Sequence, residues 1–213
     1  MLTVALTALA YLIGSISFAV IVSRAFALPD PRSYGSGNPG ATNVLRTGKK
    51  AAAALTLLGD SVKGWFAVFI TQRLAEPGAV DLTMALAAVA VVVGHMYPVL
   101  FRFQGGKGVS TVLGVLVALN IYLAAGTAAT WIIIALFFRI SSLAALISAL
   151  FAPFFCFLLY GWNAFTIAVI AISLLLIFRH KTNVQNLLAG KEARFGKQEA
   201  GIRIQDSEKS ADG

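Results

Sequence analysis

Three stretches of this chain combine glycines, small hydroxyl or amide side chains and a cation. The first is Tyr34-Gly35-Ser36-Gly37-Asn38-Pro39-Gly40-Ala41-Thr42-Asn43-Val44-Leu45-Arg46, followed by Thr47-Gly48-Lys49-Lys50. The second is Phe103-Gln104-Gly105-Gly106-Lys107-Gly108-Val109-Ser110-Thr111, shortly after Gly94-His95-Met96-Tyr97-Pro98. The third is Arg179-His180-Lys181-Thr182-Asn183-Val184-Gln185-Asn186, with Gly190-Lys191-Glu192 beyond it. Glycine lets successive backbone N–H groups turn toward an anion. A helix that starts just after such a turn adds its positive end, and Lys or Arg adds full charge with directed hydrogen bonds. This is phosphate-binding chemistry, and three such segments suffice for more than one phosphate. Arg46 and Lys107, each a basic residue inside a glycine-rich turn, are the expected phosphate contacts. Gly37, Asn38 and Asn43 in the first segment, and Gly105, Gly106 and Gly108 in the second, are the expected donors around them.

Two better-known phosphate motifs do not fit. Gly35-x-Gly37-x-x-Gly40 has the spelling of a dinucleotide fingerprint, and Asp60 lies 20 residues after Gly40. That motif needs a strand before its glycines and the acid at the end of a second strand, whereas both places here are apolar helical runs. Gly105-Gly106-Lys107-Gly108 is not a P-loop, which requires Gly where Phe101 stands and Ser or Thr where Gly108 stands. There is no Cys/His/Asp grouping with metal-ligand spacing, so no metal and no cofactor is expected. No His-x-x-x-x-Asp pair occurs, since Leu100 and Gln185 occupy the positions after His95 and His180. No Ser sits in a Gly-x-Ser-x-Gly elbow.

The elements that carry these segments are membrane helices. Of 213 residues, 58% are hydrophobic and only 12% charged, with mean hydropathy +0.82; a water-soluble domain carries about 25% charged residues. An ordinary soluble enzyme, a disordered chain and a nucleic-acid-binding domain are excluded on that ground. Cys156 is the single cysteine, so no intramolecular disulfide forms. A crossing helix needs about 20 apolar residues. The expected crossings are Val4–Val22, Ala51–Ile70, Leu82–Phe101, two short helices from Val109–Phe138 parted near Asn120–Gly126, Leu143–Leu159 and Asn163–Phe178. The first run is read as a retained helix rather than a cleaved signal peptide, because no basic residue precedes it and Arg24 follows it. The fold class is thus an all-α integral membrane protein, one bundle of seven transmembrane helices. It occupies residues 1–192, with a polar, disordered tail at 193–213.

With the N-terminus outside and the C-terminus cytoplasmic, the inside segments are 24–50, 102–108, 139–142 and 179–213. They hold 15 of the 17 Lys and Arg residues; Arg73 is outside and Lys63 lies within a span. That asymmetry sets the orientation and accounts for the net charge of +8 without nucleic acid. All three glycine-and-cation segments then share the cytoplasmic face. Taken singly, Ser36 reads as a turn residue, His180 as a cation at a helix C-terminus and Asn183 as a cap. Their common face with Lys107 moves them toward function. His95 reads as a buried, hydrogen-bonded histidine. Asp60 and Lys63, three apart on one helix face, read first as an internal ion pair or as links to loop groups, and second as substrate contacts.

The three segments resemble the bacterial acyl-phosphate:glycerol-3-phosphate acyltransferase family (PlsY-type), over Gly14 to about Glu192. The resemblance rests on Gly-Ser-Gly-Asn-Pro-Gly-Ala-Thr-Asn-Val-Leu-Arg at 35–46, Gly-Gly-Lys-Gly-Val-Ser-Thr at 105–111 and His-Lys-Thr-Asn at 180–183. It implies transfer of a fatty acyl chain from acyl phosphate to the sn-1 hydroxyl of glycerol 3-phosphate, giving lysophosphatidic acid and inorganic phosphate, in a bacterial inner membrane. It also implies seven helices and a cytoplasmic site. Carried over by position, the family's site residues fall on Ser36, Arg46, Lys107, Ser142, His180 and Asn183; Ser141 stands beside Ser142. Ser36, Lys107, Ser142 and His180 are expected to act in catalysis, and Arg46 and Asn183 to bind substrate. Membrane lipid, and a soluble acyl-phosphate-forming acyltransferase docked on the basic face, are the expected partners. A small transporter of a phosphorylated metabolite is the competing class, but no internal repeat is found. A lipid-binding scaffold would not need the Lys107 turn.

Overall fold

The computed structural model describes residues 1–194, and within them the chain is all helical. Helices α1 (Leu2–Gly14) and α2 (Phe18–Ala25) form one apolar rod broken at Ser15–Ser17. The short α3 (Ala41–Leu45) lies inside the first glycine-rich segment. Long helices α4 (Lys50–Leu74) and α5 (Val80–Met96) follow, then a 3-10 turn at Val99–Phe101. Next come α6 (Val109–Leu119), α7 (Ile121–Phe138), α8 (Ser141–Tyr160), α9 (Ala164–Arg179) and α10 (Lys181–Leu188).

Five segments are long and apolar enough to cross a membrane: 2–25, 50–74, 80–101, 121–138 and 141–160. A sixth, α9 with α10, reaches that length only as a pair bent by 58°. Of that pair, α10 has no buried residue, and Lys181, Thr182, Asn183 and Asn186 on it line a cleft. The remaining expected crossing, α6, has 11 residues, well short of the standard length. The break in 109–138 falls at Asn120, and only α6 is short; α7 runs for 18 residues. Asn120 stops one helix and starts the next. Its Oδ1 accepts from the N–H groups of Tyr122 (2.8 Å) and Leu123 (3.3 Å), and its Nδ2 donates to the Tyr160 hydroxyl (3.1 Å). That hydroxyl donates to Leu119 O (3.0 Å), a carbonyl the break leaves open. Gly126, expected near the break, lies within α7 and faces the Phe155 ring.

Side chains are sorted by size. The core around α5 is built from Ala87, Ala88, Val91, Val92 and Met96, with Ala67, Val115, Leu116 and Ile172 from its neighbours. The outer surface carries Leu136, Phe137, Phe154, Leu158 and Leu174, all exposed. Apolar residues outside and small ones inside are what a lipid solvent allows, since helices there associate by close packing rather than by hiding apolar surface. Glycines sit at the closest approaches. A Cβ on Gly14 or Gly94 would collide with α5 or α1 backbone at Val91 or Tyr11. One on Gly64 or Gly114 would collide with α6 or α4 backbone at Thr111 or Ser61.

Candidate active site

Where α5 and α9 end and α6 begins, a cleft of about 650 Å³ opens. All three segments contribute to its wall: Ser36, Gly37 and Asn38; Gly105 and Lys107; Arg179, Lys181 and Asn183. Among the described residues, four that line it are cations (Arg32, Lys107, Arg179, Lys181) and none is an acid. A second crevice of about 630 Å³ adjoins it, sharing Arg32 and Gln104 and adding Arg24, Asp30 and Arg102. There Asp30 holds Arg32 through two side-chain bonds, of 2.6 and 2.9 Å.

One hydrogen-bond chain ties the second segment to the third. The Lys107 ammonium donates to Asn183 Oδ1 (2.6 Å). Asn183 Nδ2 donates to Glu192 Oε1 (2.6 Å), and the same oxygen accepts from Ser142 Oγ (2.6 Å). Burial pulls the Lys107 amine below the usual lysine range; Glu192 opposes this, while Arg179 and Arg46 add to it. Ser142 at the start of α8 is the serine that joins this chain of bonds; it is buried and not among the cleft-lining residues, whereas Ser141 is less buried.

Arg179 fixes the glycine loop. Its guanidinium donates to Gly105 O (2.9 Å) and to Gly106 O (3.2 and 3.3 Å), and stacks 5.0 Å from the Tyr97 ring centroid. A planar fork suits two neighbouring carbonyls in a way a lysine cannot. Gly106 N–H in turn donates to His95 O (3.1 Å). Gly108, at φ +91°, turns the chain into α6 with a conformation that side chains rarely adopt. It is buried against Met96 rather than lining the cleft, and Gly106 is likewise buried.

The first segment is shaped by Asn43. Asn43 is buried, and its amide is consumed within the loop. Its Oδ1 accepts from Ser36 N–H (3.0 Å), and its Nδ2 donates to Pro31 O (2.7 Å) and Tyr34 O (3.2 Å). In this arrangement Asn43 supports the loop that presents Ser36, Gly37 and Asn38. Arg46 packs its guanidinium against Gly35, where a Cβ would crowd it, and is not among the cleft-lining residues.

His180 also stands behind the cleft wall. It is 2% exposed, and its Nδ1 lies 2.8 Å from Leu176 O, a distance at which the ring donates. Burial holds its pKa down to about 4, against the opposing pull of the Leu176 carbonyl, so the ring is neutral at neutral pH. The sequence reading undervalued two residues. Arg179 heads the third segment and is one of the inside charges but was given no role of its own, and nothing in the sequence places it opposite the glycine pair. Glu192 was quoted in the third segment but given no role, and no local signal assigns one. Among the described residues, no group of three or more His, Cys, Asp and Glu side chains is arranged to hold a metal ion.

The comparisons with known proteins agree with this geometry. The family model described as glycerol-3-phosphate acyltransferase matches residues 4–190. The glycerol-3-phosphate acyltransferase of Ralstonia nicotianae is 59% identical over 195 residues, covering 91% of this chain and 94% of that protein. That of Thiobacillus denitrificans is 58% identical over 198 residues, covering 92% and 99%. Among solved structures, PlsY (YgiH), an integral membrane glycerol 3-phosphate acyltransferase, matches in its glycerol 3-phosphate form. The TM-score is 0.86 at 37% identity, covering 92% of this chain and 96% of that one. Its lysophosphatidic acid form matches with TM-score 0.84 at 36% identity, with the same coverage. The chain belongs to the glycerol-3-phosphate acyltransferase family, and its fold is that of an all-helical integral membrane protein.

Proposed function

We propose that this enzyme moves a fatty acyl chain from acyl phosphate to the sn-1 hydroxyl of glycerol 3-phosphate, releasing lysophosphatidic acid and inorganic phosphate. The observation that carries this reading is the cleft itself, which among the described residues gathers four cations and no acid from segments far apart in sequence. Acyl phosphate is a mixed anhydride with a good leaving group, so no covalent acyl-enzyme is needed. The protein has to hold two phosphates close, aim the hydroxyl at the carbonyl and stabilise the developing oxyanion. Lys107 and Asn183 meet the phosphates and the oxyanion. Ser36 and the Gly37 and Asn38 loop orient the phosphate oxygens. Arg46, His180 and Ser142 complete the site from behind its wall. As the hydroxyl oxygen bonds to the carbonyl carbon, the bond to the phosphate oxygen breaks. Its proton passes to a phosphate oxygen, a route supported by the burial of His180 outside the cleft.

In this reading the chain crosses the membrane seven times, with α6 as a short crossing, its N-terminus outside and the cleft on the cytoplasmic face of a bacterial inner membrane. Residues 1–192 form the catalytic unit. The tail, 193–213, falls almost wholly outside the described residues and is dispensable. The basic face around the cleft suits a soluble enzyme that makes acyl phosphate.

The test uses purified protein in detergent with labelled glycerol 3-phosphate and either palmitoyl phosphate or palmitoyl-CoA. Lysophosphatidic acid is expected from palmitoyl phosphate alone and is expected to disappear in Lys107→Ala. Turnover with palmitoyl-CoA would overturn the donor assignment. Binding of glycerol 3-phosphate with no product from either donor would favour a transporter.

A further inference from the structure

The acyl-transfer reading leaves one group of side chains unused. Asp60 and Lys63 of α4 and His95 of α5 are 2%, 4% and 7% exposed, inside the membrane bundle. Ionisable groups at such depth are expensive and are retained for a reason. The Lys63 ammonium has three protons and three acceptors around it. It donates to Ile16 O, lies 3.0 Å from His95 Nδ1 and 2.8 Å from Asp60 Oδ1. The last contact is an ion pair rather than a well-directed hydrogen bond.

Each acceptor belongs to a different part of the molecule. Ile16 lies in the break between α1 and α2, where helix carbonyls lose their partners. Asp60 balances the charge. His95 faces the glycine loop twice. Its carbonyl accepts from Gly106 N–H (3.1 Å), and its Nε2 edge lies where a Cβ on Gly106 would sit. That same position adjoins Pro39 O of the first segment. Nδ1 faces both the Lys63 ammonium (3.0 Å) and Asp60 Oδ1 (3.5 Å), and the opposite, Nε2 edge of the ring lies against the junction of the first and second segments.

We propose that Asp60, Lys63 and His95 are positioning residues for the Gly105-Gly106-Lys107 loop. They anchor it to the break in the first span and thereby set where Lys107 and the Arg179-bound carbonyls stand. The proposal rests on the acyl-transfer reading only for its kinetic arm. An ion pair that merely neutralises itself would be replaceable by any neutral, isosteric pair; a positioning device would not.

The test is the charge-balanced double variant Asp60→Asn with Lys63→Met, beside His95→Asn, which keeps an acceptor near Lys63 but removes the ring edge from Gly106. Hydrogen exchange is read over the peptide spanning 103–108, together with kcat and KM for glycerol 3-phosphate. Both variants are expected to keep a thermal midpoint within about 5 °C of the parent. Exchange over 103–108 is expected to speed up about tenfold or more, without faster exchange in α6, and kcat to fall by about tenfold or more. Parental exchange and kinetics in a folded double variant would overturn the proposal, as would the same result in His95→Asn if the double variant does not fold. If the parent itself proves inactive, the acyl-transfer reading fails, while the exchange arm still decides this one.

Discussion

A guanidinium that grips two adjacent glycine carbonyls makes Arg179 the residue on which the shape of the Gly105-Gly106 loop turns. Hydrogen bonds to a charged donor contribute about 1.5–3 kcal/mol each, and lysine offers a point charge in place of a fork. Arg179→Lys is therefore expected to lower kcat/KM by about tenfold to a hundredfold while the protein still purifies as a folded monodisperse species; steady-state assays with the acyl donor check it. At this scale the sequence was legible where a single side chain announces its chemistry. Lys107 and Ser36 stand among glycines, Asn183 stands two residues after Lys181, and all three line the cleft. It was illegible where chemistry depends on a distant partner. Asn43 looks like a free amide in sequence, yet three backbone groups of its own loop occupy it. Glu192 acquires meaning only because Ser142, 50 residues earlier, meets it.

Between elements, closeness is the governing quantity. The α4–α6 contact has a glycine on each side, and each glycine faces the partner's backbone rather than a flexible side chain. Gly114→Ala would push its new methyl into Ser61 O, and the helices must part to admit it. Overpacking of this kind costs about 1–3 kcal/mol, so Gly114→Ala is expected to lower the thermal midpoint in detergent by several degrees. Gly48→Ala, where a Cβ would meet nothing within 4 Å, serves as a control for mere loss of glycine, apart from the strain of its positive φ. Apolar run length located the long helices other than α7, because a lipid solvent imposes that length directly; α7 was expected to be short. The break at Ser15–Ser17 falls at Gly14-Ser15-Ile16-Ser17, which the apolar-run reading passed over. The Lys63 ammonium of another helix takes up the Ile16 carbonyl there. Asn120 was readable as a stop, but the length of α7 beyond it depends on the cap that Asn120 itself provides.

For the molecule as a whole, pH acts through groups whose folded and unfolded affinities for protons differ. His180, beyond the last residue of α9, is held down to about 4 from an ordinary value of 6.5. Between those values the unfolded chain binds a proton that the folded chain refuses. Stability is therefore full above about pH 6.5 and declines as the pH falls toward about 4. Thermal midpoints measured across that window should fall more steeply for the parent than for His180→Gln, which lacks the titrating ring. A parallel pair of curves would show that the burial of this ring does not govern acid sensitivity. Composition and the distribution of basic residues made the membrane class readable at this scale, since both follow from the solvent rather than from contacts.

The bridge from Ser142 through Glu192 to Asn183 also has a consequence for biosynthesis. A chain enters the membrane in order, and the cleft draws on residues from Ser36 to Asn183, with Glu192 bracing the last of them. All the described helices precede that carboxylate in the chain. Under the proposed function, a chain ending before Glu192 is expected to insert yet turn over more slowly than one ending after it, and truncations on either side of residue 192, assayed in detergent, check this.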